Sequence, residues 1–220
     1  MATRTRRPER REDALSRTRI VAAAVELLDV TGEGGLTFRA LAAHLRTGPG
    51  AIYWHVANKD ELLTAGTDAV LAGAMATDVA GDTPQDAIRS LALGVFDAID
   101  AHPWAGTQLT RTPSQPSVLR LFERIGQQLR ALDVPAAAQF SSASALLNYI
   151  LGVAGQNAAL ARSQEPGTDR AAVLEAASAN LDADEFPFTR SVAGQLRDHD
   201  DREQFLAGID LVLAGIAGLQ

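Results

Sequence analysis

Apolar residues near the start of the chain recur at helical spacing. Ile20, Ala24, Leu27 and Leu28 stand at i, i+4, i+7 and i+8, which predicts a first helix from about Ser16 to Val30 with one buried stripe. The run "TGEGG" at 31–35 is expected to stop it, because glycine costs backbone entropy in a helix interior. Thr37 is a good N-cap for a short second helix whose inward positions are Phe38, Leu41, Ala42 and Leu45. "RTGPG" at 46–50 reads as a tight turn, with Gly48 as cap and Pro49 as the first residue of a third helix. That helix turns Ile52 and Val56 inward. Asn58, with Glu61 three residues on, has the form of a capping box and opens a fourth helix reaching about Thr77.

The same period continues. Thr83 and Pro84 open a helix carrying Ile88, Leu91, Ala92, Val95, Phe96 and Ile99 and ending near His102. "HPWAGTQLTRTPSQP" is a broken stretch with room for one short helix. Val118, Phe122, Ile125, Leu129 and Leu132 mark the next helix. A helix over about 136–161 is apolar on two sides, with Phe140, Leu147, Leu151 and Ala154 on one and Ala143, Leu146, Ile150, Val153 and Asn157 on the other. Such a helix needs neighbours on both sides. Phe205, Ile209, Val212, Leu213 and Ile216 stripe a last helix over 203–219, where Gly208, Gly215 and Gly218 allow close approach. The pattern predicts an all-α chain without internal repeats.

From Val134 to Ala161 no residue is charged, a length that could span a bilayer. The stretch nevertheless holds Gln139, Ser141, Ser142, Ser144, Asn148, Gln156 and Asn157. That many polar groups are expensive in lipid, so the pattern predicts a buried bundle helix and no membrane partner.

Composition sharpens this picture in three ways. Hydrophobic residues make up 46% of the 220, enough for a sizeable core. With no cysteine, disulfides, thiol nucleophiles and cysteine metal sites are excluded. The first residues are arginine-rich rather than apolar, so no signal segment is expected and a cytoplasmic location is. The net charge of −7 is unevenly spread: residues 1–63 hold ten basic against eight acidic residues, a net of +2, and the rest hold ten against nineteen, a net of −9. A mildly basic head on an acidic body suits a polyanion bound at one end.

Within the head, "GAIYWHVANKDELL" at 50–63 sets Tyr53, Trp54 and His55 side by side. Three adjacent side chains point in three directions around a helix, so at least one faces outward. Two short helices joined by a tight turn form a helix-turn-helix unit, whose second helix enters the major groove of DNA. The order of residues also resembles a known family. "GLTFRALAAHLRTGPGAIYWHVANKDELL" is similar to the DNA-binding signature of the TetR family of transcriptional regulators at Gly35, Leu36, Thr37, Arg39, Leu41, Ala42, Leu45, Tyr53, His55, Val56, Asn58, Lys59, Leu62 and Leu63. The run around "YWHV" is close to the tetracycline repressor branch. The resemblance is specific over about 16–63 and implies a head over 1–63 and a helical ligand-binding and dimerisation body over 64–220. It further implies a homodimer through the helices near 136–161 and 203–219, bound to double-stranded operator DNA. Ligand in the body of such proteins moves the fourth helix and spreads the two reading heads.

The residues suit those roles on physical grounds. Tyr53, His55, Lys59 and Thr37, with the backbone N–H groups opening the second helix, can meet phosphates, which fixes register without reading sequence. Arg39 is the candidate base reader, because a guanidinium matches the acceptor edge of guanine bidentately. Trp54 packs against the body or lies over the DNA backbone. The tip "GPGA" offers few hydrogen-bonding side chains, which leaves Ala51 against a thymine methyl, backbone approach, or DNA shape. Arg46 stands where the family usually has glycine. A left-handed arginine costs on the order of 1 kcal/mol, so either the turn differs or Arg46 recovers the cost on a phosphate. The arm "TRTRRPERR" at 3–11 either follows the minor groove or is a tail with only general electrostatic attraction to DNA, the more common outcome for such arms.

For the body, Phe96, Trp104, Phe122 and Tyr149 supply apolar surface, and His102, Gln108, Asn148 and Asn157 are polar groups on otherwise apolar or broken segments. Ligand cavities show that mixture, so a small, largely apolar effector is expected; a packed core with hydrogen-bonded polar residues is the other reading. His44, His55, His102 and His199 do not pair at metal-ligand spacing, and no nucleophile motif or phosphate loop occurs. "DHDD" at 198–201 reads as a solvated acidic turn. No catalytic residue, metal or cofactor is expected. The function read from the sequence is a DNA-binding repressor released by a ligand. The alternatives are a dimer without such a switch and, behind it, a helical enzyme.

Overall fold

The computed structural model describes residues 15–76, 83–111, 115–163, 176, 182 and 184–219. Among them every regular element is a helix, as the periodicity predicts. Helices α1 (Arg17–Gly35), α2 (Phe38–His44), α3 (Pro49–Tyr53) and α4 (Lys59–Ala76) come first. They are followed by α5 (Pro84–Ala101), α6 (Pro103–Arg111), α7 (Pro116–Ala131) and α8 (Ala136–Ser163), then by α9 (Pro187–Ser191), α10 (Ala193–Asp198) and α11 (Asp201–Ala217). The chain divides into two compact units, Met1–Val70 and Leu71–Gln220. The expected arm at 3–11 and the expected helix end at Thr77 lie outside the described residues.

In the first unit the helix starts follow local chemistry. The Ser16 hydroxyl accepts from the Arg19 N–H at 3.2 Å, and that of Thr37 from the Ala40 N–H at 3.0 Å. Such caps satisfy backbone donors that have no partner within the helix. The expected stop falls within "TGEGG": Gly32 leaves helical geometry, with a φ of +65° that is open to glycine and an extended ψ, and a further helical turn follows to Gly35. The continuation delivers Leu36 into the core with Ile20, Leu28, Leu41, Ile52, Val56, Leu62 and Leu63. Each such burial stabilises by about 1.5–3 kcal/mol, more than one unfavourable glycine costs. Phe38 and Leu45, expected to be inward, are only half-buried.

The second unit is organised around α8, which packs on α5, α6, α7 and α11. This is how a helix apolar on two sides finds its neighbours. Its buried stripe is Ala143, Leu146, Ile150, Ala154 and Ala158, with Val153 and Asn157 half-buried beside it and Phe140 exposed. Phe205 and Ile209 of α11 and Ile88, Val95 and Ile99 of α5 meet this stripe in one core. At its edge two arginine–carboxylate ties pin α11 to α5: Arg89 to Asp210 at 2.6 Å and Arg202 to Asp97 at 2.9 Å. "DHDD" forms the expected acidic turn, from the end of α10 to the start of α11, where Asp200 caps by accepting from the Glu203 N–H at 2.8 Å. The short α9 and α10 carry no buried residue and are unpredicted by any apolar period. Among the described residues no helix is long and apolar enough to cross a membrane.

Candidate nucleic-acid interface

The head presents its helix-turn-helix through a small set of contacts. α2 ends in a Schellman arrangement: the Thr47 N–H reaches the Ala42 carbonyl at 2.9 Å and the Arg46 N–H reaches that of Ala43 at 3.2 Å. This closure needs one left-handed residue, and Arg46 provides it at φ +53°. The turn therefore keeps the shape a glycine would give. Two residues on, Gly48 leads into α3 with Pro49 in its first turn, and Gly48, Pro49 and Gly50 are exposed while Ala51 is half-buried. Only Ile52 and Val56 go inward, and both are fully buried.

The adjacent aromatics divide as their spacing demands. Tyr53 lies flat on Phe38, with ring centroids 4.3 Å apart and planes 5° from parallel. The stack joins the first turn of α2 to the last residue of α3, yet Tyr53 stays 55% exposed, so its ring is held while much of the residue faces water. Trp54 is 89% exposed and makes no core. His55 is half-buried. Thr37 and Arg39 are exposed at the start of α2, and the Arg39 guanidinium has no hydrogen bond or ion pair among the described residues.

At the start of α4, half of the expected capping box forms. Asn58 Oδ1 accepts from the Glu61 N–H at 2.8 Å, but Glu61 Oε2 takes the N–H of Ala57 rather than that of Asn58, also at 2.8 Å. Glu61 Oε1 receives Arg17 at 2.8 Å, which ties the first turn of α1 to the turn after α3. The Ala57 N–H, and after it Arg17, hold the Glu61 carboxyl below its ordinary pKa. Lys59 donates its ammonium to the Glu33 carbonyl beyond the bend of α1. An ammonium has three donors, so this bond leaves others for a phosphate. The sequence offered no sign of Phe38 as the seat of Tyr53, or of the Glu33 carbonyl as the partner of Lys59.

In the body, the residues expected around a ligand fall into separate groups. Phe96 and Tyr149 both stack on Phe205, with centroids 4.6 Å and 5.7 Å from its own. His102 and Trp104 meet edge to face at 6.1 Å around the break before α6, where Trp104 and Gln108 are buried. Phe122 meets Phe140 at 6.4 Å, in a third place. Asn157 is half-buried, and Asn148 is exposed and joins none of these groups. The sequence carried no sign of Phe205 as the ring on which both Phe96 and Tyr149 stack. Nor did it mark Gln115, a buried cap whose amide donates weakly to the Gln108 carbonyl at 3.4 Å. Among the described residues no group of histidines and carboxylates is set to hold a metal.

Residues 20–65 match the family described as bacterial regulatory proteins, tetR family, and residues 79–219 match the tetracyclin repressor-like C-terminal domain. A solved TetR transcriptional regulator of Streptomyces coelicolor is 56% identical, with a TM-score of 0.82 over 94% of this chain and 99% of its own. The class D tetracycline repressor protein of Escherichia coli is 30% identical over 208 residues, 91% of this chain and 88% of its own length. The TetR family protein ActR of Streptomyces coelicolor, solved in complex with actinorhodin, is 25% identical with a TM-score of 0.75, over 94% of this chain and 99% of its own.

Proposed function

This chain belongs to the tetR family of bacterial regulatory proteins, and on that ground we propose that it is a homodimeric repressor that grips double-stranded operator DNA with its head and lets go when a small, largely apolar molecule occupies its body. The observation that carries the DNA half is the Tyr53–Phe38 stack. It fixes α3 against α2 while leaving Tyr53 and Trp54 outward, beside Thr37 and an Arg39 with no internal ion pair among the described residues. In this reading Thr37, Tyr53, His55 and Lys59 hold phosphates, Trp54 lies over the backbone, Ala51 approaches a base, and Arg39 reads one.

The dimer half is supported by outward apolar residues on α8 and α11. Phe140 is 74% and Leu211 76% exposed, and the space around Gly215 is open. A two-fold dimer would cover such residues and would read a two-fold operator. The effector half is supported by two relatives, a tetracycline repressor and a protein solved with actinorhodin. It is also supported by the buried Trp104 and Gln108 beside half-buried His102. Phe96, Phe122, Tyr149 and Asn157 complete the proposed lining, and Asn148, being exposed, does not belong to it. Effector that binds the DNA-free state better shifts the population toward it. A thousandfold loss of operator affinity takes about 4 kcal/mol of differential binding.

The test is selection of bound DNA from a random duplex pool by the purified chain, followed by release of that DNA with candidate compounds. An enriched two-fold sequence is expected. A pool that emerges unenriched would end the reading. A selected operator that no compound releases in broad screening would favour a dimer without a switch.

A further inference from the structure

Arg46 sits in a conformation that suits it poorly. Its φ of +53° places Cβ close to the following carbonyl oxygen, a clash glycine avoids. The other non-glycine residue at positive φ among those described is Asp133, at +56°, which closes α7 with the same pair of bonds. An aspartate tolerates this region because its short polar side chain can bond locally. Arginine has no such device. Arg46 is also exposed, and its guanidinium has no hydrogen bond or ion pair among the described residues. By contrast, Arg17, Arg89 and Arg202 are each engaged by a carboxylate. A strained residue with an unspent cation points to a partner outside the protomer.

The turn that holds Arg46 joins α2 to α3, whose tip of Gly48, Pro49, Gly50 and Ala51 has no hydrogen-bonding side chain. We propose that Arg46 is a phosphate anchor. Its planar fork takes a backbone phosphate flanking the groove that α3 enters, so that hold lacking at the bare tip comes from the turn. A guanidinium matches two phosphate oxygens at once. The contact strengthens binding to every sequence alike, because phosphates carry no sequence information. This inference rests on the DNA-binding reading above and adds to it a residue of the turn.

The experiment compares wild type, Arg46→Gly, Arg46→Gln and Arg46→Lys on the selected operator across a salt series, with thermal unfolding of each. Arg46→Gly is expected to melt above wild type, since the strain is gone, yet to bind about three- to tenfold more weakly at moderate salt. Arg46→Gly and Arg46→Gln should both lower the slope of log affinity against log salt by about 0.9, and Arg46→Lys should keep the wild-type slope. Wild-type affinity and slope in either neutral variant would overturn the anchor. If Arg39→Ala still weakened binding in that case, the DNA reading would stand and Arg46 alone would be wrong. A wild-type chain that selects no DNA would overturn both.

Discussion

The phenol of Tyr149 occupies the space where a side chain on Gly208 would begin. The hydroxyl donates to the Phe205 carbonyl at 3.2 Å, and the ring lies along that of Phe205. Gly208→Ala should therefore push α8 from α11 and destabilise the body by about 1–3 kcal/mol. Tyr149→Phe should lose only about 1 kcal/mol, the worth of one hydrogen bond. Burial holds the phenol above its ordinary pKa of 10.0. A raised value means that the unfolded chain loses this proton first, so the contribution is complete below about pH 10 and lost as pH climbs beyond it. Urea unfolding at pH 8 and above pH 10 should show an alkaline weakening that Tyr149→Phe reduces.

DNA contacts separate by their effect on specificity. Lys59→Gln keeps an amide donor for the Glu33 carbonyl but removes the charge. It should weaken binding to all sequences and lower the salt slope by about 0.9. Arg39→Ala should relax preference at one base pair per half-site, by about 1–3 kcal/mol. Competition among variant operators measures both. Unchanged preference after Arg39→Ala would remove its reading role.

Two substitutions on α11 tell assembly from folding. Leu211 is 76% exposed and Ile216 only 5%. Leu211→Arg should give a folded monomer by light scattering with helical circular dichroism intact. Ile216→Arg buries an unpaired charge and should unfold the body. A wild-type monomer at micromolar concentration would contradict the proposed dimer.

Effector binding has a built-in reporter, because the two tryptophans are Trp54 and Trp104, one in each unit. In Trp54→Phe, emission comes from the buried Trp104 alone. Compounds that release operator should change that emission over the same concentration range. Release without any change at Trp104 would move the site away from α6.

Acid should loosen the head through Glu61. Its carboxyl is held below the ordinary value of 4.5, first by the Ala57 N–H and then by Arg17. A depressed value means that the contribution is present above about pH 4.5 and disappears as pH falls through the folded-state value. Glu61→Gln should flatten this acid limb in denaturation midpoints measured from pH 6 to pH 3.

What could be read from the chain beforehand was what depends on neighbours in sequence. Thr37 caps as expected, and Ser16 and Thr83 stand at the helix starts the pattern predicts, because each bonds an N–H three residues on. A left-handed Arg46 was one of two possibilities that the resemblance left open, and the bonds closing α2 decide for it. What stayed hidden depends on partners far along the chain. The short helical turn beyond the break at Gly32 stayed hidden, because what it serves is the burial of Leu36 among distant residues. Phe38 under Tyr53 joins residues that no period connects. The rotation of α8 was hardest to read: with no charge to mark a wet side, Asn148 and Asn157 looked alike, yet one is exposed and the other half-buried.

Lys59 is the only lysine in the 220 residues, and its ammonium is engaged by the Glu33 carbonyl past the bend of α1. The consequence belongs to covalent labelling. An amine-directed acylating reagent meets a single side chain, at the start of α4. Its extent of reaction, read as added mass on one peptide, therefore follows one chemical event and not an average over a surface. Mild heat or denaturant that frees the end of α1 should accelerate that reaction before the body unfolds, so the chain carries its own one-site probe of how firmly the head is closed.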